Sequence, residues 1–512
     1  MAPAVETRMT YIPADFLKTE AVAATLPAAS STAAARPTRR RKPVVRPPAQ
    51  TGEPVVPQSV SGFYRRLKWV MVVLCLAVYY TVPFLRWDRG AELPGQAVLF
   101  DLAHVRFFLF ALEIRPQELY YLTAVLVAAT IMLVLTNVIA GRIWCGYFCP
   151  QTVWTDLYLL TERWLEGDRR EQLRQMHLPM TVGRVLRKSL KHVIWLAIGI
   201  GTGGAFVLYF VDAPTFIAQA LAGEASVAAY GAILTLTLTT YALAGFAREK
   251  MCTYMCPWPR LQGAVWDEDA FVVAYRDYRG EERMSVKKAA AARALGEPAG
   301  DCVDCMACVQ VCPMGIDIRE GPNLACINCG LCVDACDSTM SKVGRERGLI
   351  DYEAWTNIER GRSGSARKPV RLVRPKIVAL TLALVAILAT VVVSVSTRST
   401  ISMTVAHERN PIAVALSEGR IRNAYEVRLS RVSQGSGGLR LEVNGQAPLV
   451  LGVVGEGKFD DGIAVIPLEA GQSRQLRVTV AGTPDLAGDL TFALIDEASG
   501  DRVEIVNFFK LP

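Results

Sequence analysis

The sequence predicts an α-helical polytopic membrane protein of about five spans, with a bacterial-type two-cluster ferredoxin domain inside the chain and an all-β, immunoglobulin-like sandwich at its C-terminal end. Three observations carry that expectation: five long apolar stretches, two cysteine runs with cluster-ligand spacing, and strict apolar–polar alternation after residue 398. With 512 residues, 51% of them hydrophobic, the chain is too apolar for an ordinary soluble protein and long enough for several units. The formal charge of +8 does not indicate a nucleic-acid partner, because the basic residues flank apolar spans and no nucleic-acid motif accompanies them.

Residues 1–60 are rich in Pro, Ala and Arg and lack the apolar core of a cleavable signal, so they read as a disordered cytoplasmic tail. Residues 61–260 hold four expected spans, 67–85, 119–140, 190–211 and 226–247, and a fifth covers 376–397. Each approaches the ~20 residues that cross a ~30 Å hydrocarbon core. The segment 98–112 contains Asp101, His104 and Arg106, is too short and charged to span, and is expected to lie along the interface. Loop 141–192 carries nine Lys and Arg residues and loop 212–225 none, which places the first inside and the second outside. Arg65, Arg66 and Lys68 hold the N-terminus inside, as Arg367, Lys368, Arg371, Arg374 and Lys376 hold the approach to the last span. An odd number of spans leaves residues 398–512 outside.

A short pattern repeats after the second and fourth spans. It reads Arg142-Ile-Trp-Cys145-Gly-Tyr147-Phe-Cys149-Pro150 and then Arg248-Glu-Lys-Met251-Cys252-Thr-Tyr254-Met255-Cys256-Pro257, followed by Val153-Trp154 and Val265-Trp266. Cysteines at i and i+4 share one side of a helical turn, so each pair presents two sulfurs to a common ligand. Four such thiols suit Cu(I), a further cluster or a redox-active disulfide, with Met251 and Met255 as thioether donors. The blander alternative is small residues at a tight helix exit before proline. The arginine beside each pair is expected to favour the thiolate, and the tryptophans to anchor the chain at the interface.

Other matches weigh little. Gly199-x-Gly201-x-x-Gly204 fits a dinucleotide pattern but lies mid-span, where glycine serves close helix packing. Cys75 stands alone in an apolar span, and the four histidines, His104, His177, His192 and His407, fall in separate regions unsuited to a paired haem site.

Residues 261–375 contain Cys302-x-x-Cys305-x-x-Cys308-x-x-x-Cys312-Pro313 and Cys326-x-x-Cys329-x-x-Cys332-x-x-x-Cys336. Three cysteines of a run close around one corner of an iron-sulfur cube and the fourth ligates the other cluster. Cys302, Cys305 and Cys308 are therefore paired with Cys336, and Cys326, Cys329 and Cys332 with Cys312. A zinc ribbon has no use for the third and fourth cysteine of each run. The second run ends in Cys336-Asp337, without the usual proline, which predicts a less rigid turn there. Clustered free thiols imply a reducing compartment and hence a cytoplasmic domain.

In residues 398–512 the triplets Leu439, Leu441 and Val443, then Leu476, Val478 and Val480, then Leu490, Phe492 and Leu494 have the period of strands with one buried face. An antiparallel sandwich of immunoglobulin type follows, with a docking or assembly role as the default.

Taken together, the two Cys-x-x-x-Cys-Pro repeats, the eight clustered cysteines and the strand-rich tail resemble the FixG/RdxA/CcoG accessory proteins of cbb3-type cytochrome c oxidase. The resemblance implies a multi-pass protein of the bacterial inner membrane with two [4Fe-4S] clusters on the eight cysteines. It further implies reduction of Cu(II) to Cu(I) for the oxidase copper centre, with Cys145, Cys149, Cys252 and Cys256 as candidates for the copper or redox step. The implied partners are oxidase assembly factors or copper chaperones and an unidentified cytoplasmic electron donor. Two further readings are a polyferredoxin relaying electrons between quinol and a partner reductase, and a non-catalytic assembly scaffold.

Overall fold

The computed structural model describes residues 55–89, 93–103, 105–114, 118–399, 401–416, 419–431, 438–459, 461–468, 472–497 and 499–511. The expected tail at 1–54 and His104 lie outside the described residues. Residues 55–60 do not behave as tail. Gln58 N donates to Gln310 O at 2.8 Å, and Ser59 donates to the Asp168 carboxylate from both N and Oγ, at 2.9 and 2.6 Å.

Among the described residues five helices are long and apolar enough to cross a membrane: Phe63–Phe84, Leu119–Ala140, Val182–Val207, Val227–Met255 and Pro375–Ser396. The third begins eight residues before the expected position (190 to 182), because the basic stretch ahead of it continues the same helix. The chain runs α1 (Phe63–Thr81), β1 (Val98–Asp101), β2 (Arg106–Leu109), β3 (Leu112–Ile114), α2 (Leu119–Ala140), α3 (Ile143–Tyr147), α4 (Pro150–Glu166), α5 (Arg169–Met176), α6 (Val182–Val207), α7 (Ala213–Ala222) and α8 (Val227–Ala242). Two wide π-helical turns, Leu243–Ala247 and Met251–Met255, enclose α9 (Arg248–Lys250) and lead to α10 (Trp258–Val265). The segment read as lying along the interface is thus an antiparallel sheet, β1–β2–β3. Its turns at Val105 and Phe110, with φ of 54° and 53°, break any helix there.

The ferredoxin-type domain comprises β4 (Val272–Tyr275), α11 (Asp277–Gly280), α12 (Val286–Ala294), α13 (Ala307–Gln310), α14 (Leu331–Lys342), β5 (Ile350–Glu353) and α15 (Trp355–Arg362). Pairing of β4 with β5, Val272 opposite Glu353 through Tyr275 opposite Ile350, closes both ends of the domain. The spanning helix α16 (Pro375–Ser396) follows and packs antiparallel to α2. Arg374 Nη2 donates to Val138 O at 3.1 Å at one end, and Tyr121 Oη meets Ser394 Oγ at 2.9 Å near the other. The ferredoxin-type and C-terminal domains therefore sit at opposite ends of α16.

The C-terminal domain is a two-sheet β-sandwich. Its strands are β6 (Ile401–His407), β7 (Val414–Ala415), β8 (Ile421–Arg431), β9 (Gly438–Asn444), β10 (Leu449–Val453), β11 (Gly457–Phe459), β12 (Ile463–Pro467), β13 (Ser473–Gly482), β14 (Gly488–Asp496) and β15 (Arg502–Phe509). One sheet has the order β11-β10-β13-β8-β6, with β7 on β8, and the other β12-β9-β14-β15. All nine residues of the three alternating triplets are buried in the shared core.

Inside the bundle, glycines let α6 approach α8: a Cβ at Gly199 would stand 3.2 Å from Thr237 O, and one at Gly203 2.8 Å from Ile233 O. A Cβ at Gly201 would stand 3.6 Å from Tyr80 Oη of α1 and one at Gly204 would meet nothing within 4 Å, so the close approach to α8 uses Gly199 of the dinucleotide-like pattern together with Gly203 outside it. Buried charge ties α1 to α4, with Lys68 Nζ 3.0 Å and Arg65 Nη1 3.5 Å from the Asp156 carboxylate. The tryptophans are not uniformly interface anchors. Trp154 donates to Thr202 Oγ1 at 2.6 Å within the bundle and Trp195 is buried, whereas Trp164 is 77% exposed.

Helix α1 begins at Gly62, which has no side chain to cap the first amides. Asp334 of α14 does so instead, accepting from Tyr64 N at 3.2 Å and Arg65 N at 2.8 Å. Replacing Asp334 by Ala removes this remote cap and is expected to cost about 1–2 kcal/mol. Asp334→Asn, which keeps an acceptor, loses less. Unfolding temperatures of the two purified variants check the order.

Candidate metal centre

The first cysteine run winds around α13, and the second ends inside α14. Cys302, Cys308 and Cys336 share one buried cluster with Val273, Ile318 and Met340, while Cys305 is exposed. Burial pushes the Cys336 thiol up to about 12, with Cys308, Cys302 and Cys305 adding to the shift. Cys312, beside Cys329 and Cys326, is likewise pushed to about 12 by burial, and Cys326 to about 11. The thiol of Cys332 is raised well above its usual value, by burial and then by Cys329, Cys326 and Cys312. Cys336 thus neighbours Cys302, Cys305 and Cys308, and Cys332 neighbours Cys312, Cys326 and Cys329, with Cys308 between the two groups. Cys312, Cys326, Cys329 and Cys332, together with Cys308, border an apolar cavity also lined by Ile316 and Leu331.

This donor set fits [4Fe-4S] clusters. Thiolates without a counter-charge are disfavoured in such a cavity, whereas an iron cluster stabilises them and takes four sulfurs across a shell wider than that of one ion. Cys336 lies mid-helix and α14 continues to Lys342, so no turn exists where the proline is missing. A proline at position 337 would only weaken that helix.

The two membrane-edge thiol pairs come together. Cys145 has Cys149 and Cys256 as electrostatic neighbours, and Cys252 has Cys149, Cys145 and Cys256. They also meet the ferredoxin-type domain: Cys145 packs in one apolar cluster with Ile327, Cys329 and Leu331, and Cys252, Cys312, Cys326 and Cys332 border it. Among the described residues no three or more His, Cys, Asp or Glu side chains converge tightly enough for a single ion. A pair of thiols is thus the largest set that these four offer one ion without rearrangement.

Arginine acts here only in part as expected. Arg142 pulls the Cys145 and Cys149 thiols down, but burial outweighs it and both are raised. Arg248 turns away, pairing with Glu162.

Local geometry explains the contact with the ferredoxin-type domain. Gly141, at φ 55°, ends α2 and redirects the chain into α3. Gly146 then lets the first thiol turn lie against the 327–329 backbone, where a Cβ would stand 2.6 Å from Ile327 O and 3.2 Å from Cys329 Cα. Tyr147 Oη donates to Cys329 O at 3.0 Å, Tyr352 Oη to Asn328 O, and Arg142 Nη1 to Leu324 O. Gln262 of α10 accepts from Arg142 Nε at 3.0 Å and from Cys145 Sγ at 3.6 Å. At the second pair, the wide turn frees backbone carbonyls, and Gln151 Nε2 donates to Leu243 O at 2.8 Å and Arg248 O at 3.4 Å. Gln262, Gln151 and Tyr352 carry no motif, and sequence reasoning had no signal by which to find them.

The Gly146 contact predicts a size threshold. Gly146→Val is expected to push the 327–329 loop away from the thiol turn and alter the paramagnetic resonance of the reduced protein, while Gly183→Val, where a Cβ meets nothing within 4 Å, leaves the spectrum unchanged.

Comparison with known proteins supplies the family. Residues 247–355 match a 4Fe-4S dicluster domain, residues 121–167 a 4Fe-4S binding domain, and residues 391–511 the IG-like fold at the C-terminal of FixG. Protein RdxA of Cereibacter sphaeroides is 44% identical over 454 residues, covering 87% of this chain and 94% of its own length. Protein RdxB of the same organism is 45% identical over 466 residues, 90% of this chain and 96% of its own. Nitrogen fixation protein FixG of Rhizobium meliloti is 43% identical over 452 residues, 83% of this chain and 86% of its own. Five spanning helices, a ferredoxin-type dicluster domain and a FixG-type sandwich in one chain make this a membrane iron-sulfur electron-transfer protein, and it belongs to the FixG/RdxA family.

Proposed function

We propose that this protein reduces Cu(II) to Cu(I) at the membrane-edge thiols Cys145, Cys149, Cys252 and Cys256, in support of the assembly of a cbb3-type cytochrome c oxidase. In this reading Cys302, Cys305, Cys308 and Cys336 hold one [4Fe-4S] cluster, and Cys312, Cys326, Cys329 and Cys332 the other. The N-terminus and ferredoxin-type domain face the cytoplasm of a bacterium, and the sandwich faces the periplasm. Oxidase assembly factors or copper chaperones are the partners that would receive Cu(I).

The single observation carrying the proposal is the convergence of both thiol pairs on the loop bearing Cys326 and Cys329. Reduction of Cu(II) takes one electron, and iron-sulfur clusters supply one-electron transfer. The remaining work falls to the chain. Paired thiols bind the soft product more favourably than the harder substrate ion, which favours reduction. Gln262 orients Cys145, Arg142 holds Gln262, and Gly146 keeps the thiol turn against the ferredoxin loop. Met251 precedes Cys252 and Met255 precedes Cys256, and Met255 is 62% exposed.

A second reading, a further cluster on the same four thiols, is favoured by one observation: the 4Fe-4S binding match at 121–167 contains only Cys145 and Cys149 as cysteines. Iron content separates the two. Dithionite-reduced protein is expected to convert Cu(II) into chelator-trapped Cu(I), and serine at all four paired cysteines to lower that rate on the order of 10- to 100-fold. An unchanged rate would remove the thiols from the reaction, and a loss of iron in that variant would favour the further cluster. The ligand assignment has its own check. Cys336→Ser and Cys312→Ser are each expected to perturb a different cluster signal in the paramagnetic resonance spectrum.

A further inference from the structure

A cavity of about 340 Å³ opens where α6 and the first wide turn meet α4, away from the thiols. Its apolar wall is aromatic. Trp195 is buried and stacks on Tyr158 at 4.9 Å and 17°, and Phe246 lies parallel to His192 at 6.1 Å and 12°, and edge-on to Trp195. Phe246 is itself 58% exposed, in a helix long and apolar enough to cross a membrane, so this wall continues to the outer surface of the bundle. The rest of the lining is ionic and closes over the Trp195 ring: Lys191 Nζ stands 5.0 Å and Arg248 Cζ 5.6 Å from its centroid, and Lys191 Nζ lies 3.0 Å from Glu166 and 3.8 Å from Glu162, which also pairs with Arg248. His192 Nδ1 meets Tyr241 Oη at 3.0 Å, and its Nε2 has no hydrogen-bond partner among the described residues.

The cavity adjoins the redox machinery through the backbone. Arg248 lies four residues before Cys252, and its carbonyl is held by Gln151, two residues after Cys149. Trp195 is already covered by Tyr158, Lys191 and Arg248, so the open aromatic surface is Phe246 beside His192, and a ligand for this place needs a flat ring for that surface, polar oxygens for His192 and the ion pairs, and solubility in lipid. Those properties describe a quinol.

We propose that this cavity binds the ring of a membrane quinol, which is the electron donor of the protein. The inference rests on the electron-transfer reading and is independent of copper. Oxidation of the quinol to quinone releases two electrons and two protons. The protons pass to the Glu162 and Glu166 carboxylates, and two oxidised one-electron iron-sulfur centres of this chain take one electron each. The free His192 Nε2 is the group that hydrogen-bonds one ring oxygen.

The test uses the full chain in nanodiscs of phosphatidylethanolamine and phosphatidylglycerol, titrated with decylubiquinone in one arm and menadione in the other. Saturable one-to-one binding in either arm is expected, and the arm that binds tighter identifies the ring type. His192→Leu is expected to weaken it roughly tenfold, the loss of one hydrogen bond, and Tyr241→Phe to weaken it less. Unchanged visible absorbance and iron content show that each variant is folded, and where His192→Leu fails that check Tyr241→Phe decides. Uptake no greater than that of empty discs, or affinity unaltered by the folded variants, overturns the proposal. Dithionite-driven Cu(I) formation by the wild type, measured on the same sample, fails separately if only the copper reading is wrong.

Discussion

The close contact between the first thiol turn and the ferredoxin loop Leu324–Gly330 is the constraint on which the rest of this structure depends. That loop turns its backbone carbonyls toward the membrane bundle, and carbonyls removed from water need donors. Arg142 and Tyr147 supply them from the bundle, at Leu324 and Cys329, while Tyr352 of β5 serves Asn328 from within the ferredoxin-type domain. Gly146 allows the approach by having no Cβ to collide with Ile327 O. Thiols from the membrane edge and cysteines from the ferredoxin-type domain thereby share one apolar core.

A second attachment makes the contact rigid. The helix carrying Cys332 and Cys336 places Asp334 against the first amides of α1, so a spanning helix starts on the electron-transfer domain itself. The segment 55–61 runs over the same domain, with Val60 packed against the shared core. Short β4–β5 pairing clamps the domain ends, and Arg374 fastens the start of α16 to the end of α2. Of these links the Asp334 cap crosses from the ferredoxin-type domain to a spanning helix, whereas the β4–β5 pairing lies within the domain and Arg374 joins α16 to α2.

Duplication in the bundle does not produce two equal sites. The first repeat folds into α3 and is covered by the ferredoxin loop, whereas the second lies in wide turns with Tyr254 and Met255 exposed at 59% and 62%. The arginines diverge accordingly: Arg142 reaches toward the loop and the thiols, and Arg248 pairs with Glu162 and covers the Trp195 ring. Similar motifs thus acquire different surroundings: both pairs border the ferredoxin-type domain, and only the second has exposed neighbours, Tyr254 and Met255.

The sequence by itself determined what depends on spacing along the chain. Apolar length marks the spans, period two marks the strands of the sandwich, and the intervals from Cys302 to Cys336 mark the cluster domain, because each of these signals is local. Only the tertiary structure decided what depends on distant segments meeting. It made 98–114 a sheet, set Trp154 inside the bundle, paired Arg248 with Glu162, let burial outweigh Arg142 at Cys145, and brought Gln262 to Cys145 and Gln151 to the Leu243 carbonyl. Burial and hydrogen-bond partnership belong to the packed whole, and no residue carries them in its identity.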